Sequence, residues 1–153
     1  MLDTFKVGVV GYSQQLFDRQ IATWCLIEAF AEIEIIFAQI SFPGQQIEVV
    51  SGLTNLGIPG LAYELVSQRK YLTTGFACKT ALSMQDIWYP VNHKIVLIGN
   101  SWGDESEEFV KYINTGALIR VGGGKQSLAE VKLFDQFDGY LFEYDLESIQ
   151  SAT

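Results

Sequence analysis

Basic residues are scarce in this chain. Ten Lys and Arg stand against 18 Asp and Glu, for a net charge of −8, and there is one His. An acidic field of this extent repels phosphate backbones, which argues against DNA or RNA as a partner. It leaves room for a small anion, because local backbone N–H groups can hold one whatever the global charge. Cysteine is scarcer still. Cys25 and Cys78 are the only two and form no CxxC, so neither a disulfide framework nor a zinc site is indicated. Long uninterrupted apolar runs are also missing. The most apolar region, residues 21–40, is broken by Glu28, Glu32 and Glu34, which argues against a membrane span. The opening MLDTFKVGVVG has no signal-peptide pattern, so a soluble cytoplasmic protein is the expectation. No linker, repeat or low-complexity segment divides residues 1–153, so one domain is expected.

What is present is a globular composition, with 48% hydrophobic and 18% charged residues. Strand and helix signals alternate. FKVGVVG (5–11) is a Val-rich run ending at a glycine, the pattern of a buried strand. Residues 18–40 read as one long helix, although IEIIF within them could instead be a strand. Further strands are expected at 47–52, 71–77, 94–99, 116–121 and 139–144. Helices are expected at 57–70, with Pro59 in the first turn, near 79–84, at 104–114 and at 127–137. Apolar strands separated by helices predict a parallel sheet covered on both faces, a Rossmann-like doubly wound α/β fold. Ligands of such folds bind beyond the carboxyl ends of the strands.

Four loops rich in glycine and small polar residues leave strand ends: GYSQQ (11–15), SGLTNLGIPG (51–60), GNSWGDES (99–106) and GGGKQS (122–127). A parallel sheet places all four on one edge. The last of them fits neither the Walker A spacing, because Gln126 follows Lys125, nor a G-x-G-x-x-G fingerprint, which also fails after the first strand. Consecutive glycines still let backbone N–H groups approach an anion, and the following helix adds the positive end of its dipole. Gly122, Gly123, Gly124, Lys125, Gln126 and Ser127 are therefore candidate phosphate contacts. A plainer reading stands beside this one. Ser127-Leu128-Ala129-Glu130 has the form of a capping box, with Ser127 as N-cap and Glu130 reaching back to its N–H.

GGGKQSLAE (122–130) resembles the P-G-G-x-G-T-x-x-E motif of the Lonely Guy family, often mislabelled lysine decarboxylases. VVSGLTNLGIPGLAYE (49–64), VGVVGYS (7–13) and LTTGFA (72–77) are similar to earlier segments of that family in order and spacing. The wider group is the SLOG superfamily of Rossmann-like nucleotide-binding proteins. The resemblance implies a phosphate on Gly123, Gly124 and Ser127. It also implies that Glu130 is the acid which, with an Arg on the preceding helix, cleaves the N-glycosidic bond of a nucleoside monophosphate. Relatives of this type are often dimers, so a homodimer or higher homo-oligomer is expected. The chain departs from the motif at Gly122, where the family has Pro, and at Gln126, where it has Gly. Where the Arg belongs, the chain carries Asp104, Glu105, Glu107 and Glu108. Binding of a nucleotide or nucleotide-derived molecule is thus the first expectation, with contacts from Gly11, Ser13, Gly52, Thr54 and Gly57, and the base or sugar near Asn100, Trp102 and Glu130. The alternative is a phosphoribohydrolase using Glu130 as the acid–base group.

Other residues carry less. Trp102 either stacks on a base or partner or folds back on the core. Asp104 and Ser106 can start the helix, and Asp104 or Glu105 could bridge a divalent cation to a phosphate. No protein metal site is expected. His93 has no nucleophile pattern nearby, Cys78 reads as packing, and Glu28, Glu32 and Glu34 as the exposed side of a helix.

Overall fold

The computed structural model describes residues 3–149. Six strands form one sheet: β1 Thr4–Gly11, β2 Gln46–Gly52, β3 Leu72–Ala77, β4 Lys94–Leu97, β5 Ala117–Val121 and β6 Tyr140–Tyr144. Their order is β4-β3-β2-β1-β5-β6 and every pairing is parallel. Between them lie α1 Arg19–Ile40, α2 Gly57–Val66, a 3-10 segment Lys79–Ile87, α3 Ser106–Tyr112 and α4 Lys125–Phe134. The expected Rossmann-like arrangement is present. The chain runs outward from β1 to β4 and then returns to place β5 on the other side of β1. That reversal makes the gap between β1 and β5 the switch point of the sheet, where the loops on either side diverge.

Alternation along β1 divides the core. Val7 and Val9 face α1 and α2, whereas Val10 faces the layer of α3 and α4 with Val50, Phe76, Leu118 and Phe134. Strands buried on both faces need apolar residues throughout, which is why they read as runs and not as alternations.

The ambiguous piece IEIIF is helical and belongs to α1. This helix starts where Asp18 stands ready: its carboxylate accepts from the N–H groups of Gln20 (3.0 Å) and Ile21 (3.1 Å). Glu28 and Glu32 are exposed as expected, but Glu34 is not simply a surface acid. It accepts from Arg69 at 2.6 Å and from the Tyr71 hydroxyl. Three helices also differ in their bounds. The helix expected at 57–70 ends at Val66, and that expected at 104–114 starts at Ser106. The helix expected at 127–137 begins two residues early, at Lys125, and ends at Phe134.

A buried acid lies within the apolar strands. Glu48 of β2 is 1% exposed and accepts hydroxyl donors from Thr4 (2.7 Å), Thr74 (2.7 Å) and Tyr112 (2.6 Å). His93 Nε2 lies 3.9 Å away. The acid joins β1, β2, β3 and α3 at the amino edge of the sheet. Burial pushes its pKa up, but the three hydroxyl donors and His93 outweigh burial and hold it below the ordinary 4.5. A carboxyl whose folded pKa is depressed stabilises the fold fully above its unfolded pKa and loses that contribution as pH falls through the folded one. Glu48→Gln should therefore cost about 2 kcal/mol at neutral pH, the scale of hydrogen bonds to a charged group. The gap in thermal stability between wild type and variant should close on acidification below 4.5 in pH-dependent melts.

Candidate functional site

The carboxyl ends of β1, β2 and β3 open into a cavity of about 480 Å³. Its floor is apolar, from Val9, Val10, Phe76 and Phe109, and its rim is polar. Of the residues expected from sequence, Gly11, Ser13, Gly52, Thr54, Trp102, Gly124, Lys125, Gln126, Ser127 and Glu130 line it. All four loops thus supply the rim. The loop at 99–106 supplies Trp102 and the buried Glu105.

Gly57, Asn100, Gly122 and Gly123 are not among the lining residues. Gly57 opens α2 at φ +57, where a β-carbon would collide with the Tyr12 carbonyl. The next N–H, that of Ile58, donates to this carbonyl at 2.7 Å. Gly122 packs against the Tyr12 ring, and Gly123 turns at φ +102 over the Ser127 side chain. These glycines shape the loops from behind. Asn100 is held within its own loop: its N–H donates to Asp104 Oδ2 at 3.0 Å and its carbonyl accepts from Thr80 at 2.5 Å.

The capping box is not formed. The N-cap of α4 is Gly124, no side chain caps the helix, and Ser127 is its third residue. The Ser127 hydroxyl points to the Gly11 carbonyl at 3.5 Å. Glu130 turns away from the helix start and accepts from the Ser106 hydroxyl at 2.9 Å. The glycines turn the chain so sharply that the helix begins before Ser127 can reach its cap position. The first turn of α4 is consequently left without a side-chain acceptor at the cavity rim, where its N–H groups and dipole favour an anion. Lys125 is exposed on the same rim and enters no ion pair among the described residues.

Two buried acids lie beside the first turns of α4, both within reach of Gln126. Glu105 accepts from the Gly103 N–H at 3.2 Å and from the Gln126 amide at 3.3 Å. Glu130 is 5% exposed. Burial pushes its pKa up to about 7; the Ser106 hydrogen bond opposes this and the Glu105 charge adds to it. Asp104 instead accepts from Asn100 and Ser101, each at 3.0 Å, and those bonds hold its pKa below the ordinary value. Asp104 closes its own loop rather than the helix, while Ser106 begins α3. Among the described residues no three His, Cys, Asp or Glu gather as a metal cluster. No Arg lines the cavity either; Arg120 is engaged by Glu143 and Asp145 at 2.6 Å each. Trp102 is 51% exposed and borders the cavity. His93 and Cys78 lie outside the lining, and Cys78 is fully buried.

No protein-family model matches the chain, and no curated protein matches it. Among solved structures it is similar to a molybdenum cofactor binding protein from the phototrophic bacterium Rippkaea orientalis. The identity is 18%, the TM-score is 0.64, and the match covers 95% of this chain and 80% of that one. The likeness is one of fold.

Sequence reasoning passed over Tyr12, Gln14, Gln15 and Met84 as lining residues and singled out Glu105 only as a cation bridge to a phosphate. The first three lie in or beside a loop already singled out, so proximity to Ser13 was a usable signal. Met84 arrives from the 3-10 segment, and nothing local to it marks the cavity.

The raised Glu130 pKa has a thermodynamic consequence. The folded state binds a proton more tightly than the unfolded one, so the acid destabilises the fold as pH rises from 4.5 to about 7. A shift of this size corresponds to about 3 kcal/mol. Glu130→Gln should raise the melting temperature at pH above about 7 and give no gain below 4.5. A melting difference independent of pH would mean that Glu130 does not titrate in this range.

Proposed function

We propose that this chain binds a phosphate-bearing, nucleotide-like small molecule in the cavity at the carboxyl edge of its sheet. The observation that carries the reading is the uncapped start of α4 at the rim, joined by Lys125 and Ser127. The phosphate lies on Gly124, Lys125, Gln126 and Ser127, with Gly11, Ser13, Gly52 and Thr54 opposite. The heterocycle lies over the apolar floor beside Trp102, its polar edge toward Glu105 and Glu130. Resemblance to the SLOG superfamily supports the same class of ligand. So does the similarity in fold to a protein described as binding the molybdenum cofactor. Among the described residues no Cys or His lines the cavity. A metal-bearing cofactor would therefore be held through its phosphate and ring, not through a thiolate or imidazole on the metal.

One observation favours hydrolysis of a nucleotide N-glycosidic bond as a second reading. A buried carboxyl with a pKa of about 7 is suited to general acid–base work. Against it stands the missing Arg. The exposed acids of α3, Glu107 and Glu108, pair instead with Lys111, at 3.0 and 3.9 Å.

Calorimetry and thermal shift with mono-, di- and cyclic nucleotides and with molybdenum cofactor should find at least one ligand. Gly124→Val is the sharpest variant. Nothing lies near a β-carbon there, so the added side chain stands over the cavity rim without displacing a neighbour. Binding should weaken more than about ten-fold, which is 1.4 kcal/mol. Unchanged affinity in a folded variant would remove the phosphate from this loop. Wild type should release no free base from a nucleoside monophosphate. Base release that disappears in Glu130→Gln would establish the hydrolase instead.

A further inference from the structure

The two acids of the cavity are short of partners. Glu105 is 7% exposed and Glu130 5%, and both line the cavity. A carboxylate offers about four lone-pair sites, so the pair presents about eight. Three groups of the chain serve them: the Gly103 N–H, the Ser106 hydroxyl and the Gln126 amide. Neither acid forms an ion pair with a Lys or Arg among the described residues. Buried acids are ordinarily paired with a cation or fully hydrogen-bonded, because an underserved charge in a protein interior is costly. Here the underserved groups stand in a cavity wall, where a ligand can supply the missing donors.

We propose that Glu105 and Glu130 recognise the edge of the bound heterocycle, and that this edge is of the guanine type, with a ring N–H and an exocyclic amino group side by side. The proposal rests on the binding reading above and names the base it selects. An ionised carboxylate only accepts, and it takes two adjacent donors as a bidentate pair. Among the common bases, guanine alone offers two such donors on its pairing edge. Adenine and cytosine set one amino group beside a ring acceptor, and uracil flanks its N–H with two carbonyls. Each of these turns a lone pair toward the acids. Glu130 alone can adapt to an acceptor by holding a proton, but the charge of Glu105 beside it still faces that edge. The pair therefore excludes edges that one adaptable acid would admit.

The spacing agrees. Ser127 and Glu130 are both buried and, at i and i+3, share one face of α4. From the uncapped start at Gly124 to Glu130 the helix rises about 9 Å, at about 1.5 Å per residue. That is comparable to the reach of a mononucleotide from its phosphate to the edge of its base. Trp102, just before Glu105 in the chain, lines the same cavity half-exposed and offers a ring face for stacking.

Calorimetry of the full chain with GMP, IMP, XMP and AMP tests the assignment, in EDTA and at about pH 8, above the Glu130 pKa of about 7. IMP lacks only the exocyclic amino group, and XMP carries a carbonyl in its place. GMP should bind at least ~10-fold tighter than each of the others, the scale of one charge-assisted hydrogen bond. The GMP-to-IMP ratio, in which the shared phosphate cancels, should fall when the pH is lowered to about 6, as Glu130 takes up a proton. In Glu130→Gln and in Glu105→Gln the ratio should shrink below ~3-fold, because an amide presents a donor where the acid had an acceptor. A pterin phosphate ester carries the same edge on another ring. Tighter binding of that ester than of GMP, with its counterpart bearing a carbonyl for the amino group at least ~10-fold weaker, would keep the edge and assign it to a pterin. Affinity for IMP or AMP equal to that for GMP, with no preference within the pterin pair, would overturn the proposal and leave the phosphate site standing. So would a ratio that survives both substitutions, or binding that requires a divalent cation, which would give the acids to a metal. If no phosphate ester binds, the binding reading fails and this one with it.

Discussion

The Tyr12 backbone carbonyl accepts the Ile58 N–H at 2.7 Å, and the geometry of the cavity depends on that contact. It fastens the loop after β1 to the start of α2, and only a glycine at position 57 permits the approach. The Tyr12 side chain continues the same junction in the other direction. Its ring packs on Gly122 and stacks on Phe17, and its hydroxyl donates to the Leu146 carbonyl at 2.7 Å. One residue thus ties together the exits of β1 and β5, the start of α2 and the segment after β6. These are the strands that part at the switch point. A loop edge is ordinarily the least stable part of an α/β domain, and here a single tyrosine braces three loops.

The cavity rim is electrically divided. The uncapped helix start and Lys125 favour negative charge, while two buried carboxyls beside the same helix disfavour it, Glu105 accepting from Gln126 of its first turn at 3.3 Å. A net charge of −8 does not decide the matter, because backbone N–H groups at a helix start act on an anion at short range. On the proposed reading the phosphate lies on the start of α4 and the heterocycle toward the acids. An Arg beside Glu130 would have neutralised these carboxyls. Without one, burial and Glu105 leave Glu130 near its midpoint at neutral pH.

Much of the fold was legible in the sequence because both-face burial writes itself as Val- and Ile-rich runs, as in β1 and β5. The order of strands and helices and the ligand edge of the sheet followed from that alternation. Glu48 was not legible. Its four partners come from β1, β3, α3 and the segment before β4, and local pattern cannot assemble them. The capping box failed for a related reason. Ser-x-x-Glu is a strong local signal, but the backbone turn at Gly122 and Gly123 started the helix earlier and turned Glu130 toward α3. Gly57, Gly122 and Gly123 were legible as special positions, yet their use is close packing against Tyr12 and Ser127. Sequence shows where a glycine is needed; which neighbour needs it there is a matter of tertiary structure.

Glu130 gains its significance from this arrangement. A carboxyl poised near neutrality can donate a hydrogen bond when protonated and accept two when ionised. A ligand edge rich in N–H or hydroxyl donors selects the ionised form and expels a proton on binding; an edge rich in carbonyls selects the protonated form. The energy separating these states is small at neutral pH, because the pKa is about 7. The same site can therefore match either kind of edge at little cost, whereas a fully ionised surface acid could match only one. Chemistry on the bound molecule would ask more of Glu130 than this. It would need a second charge placed to stabilise the transition state, and the rim near Glu130 offers a second acid in the place where that cation would stand.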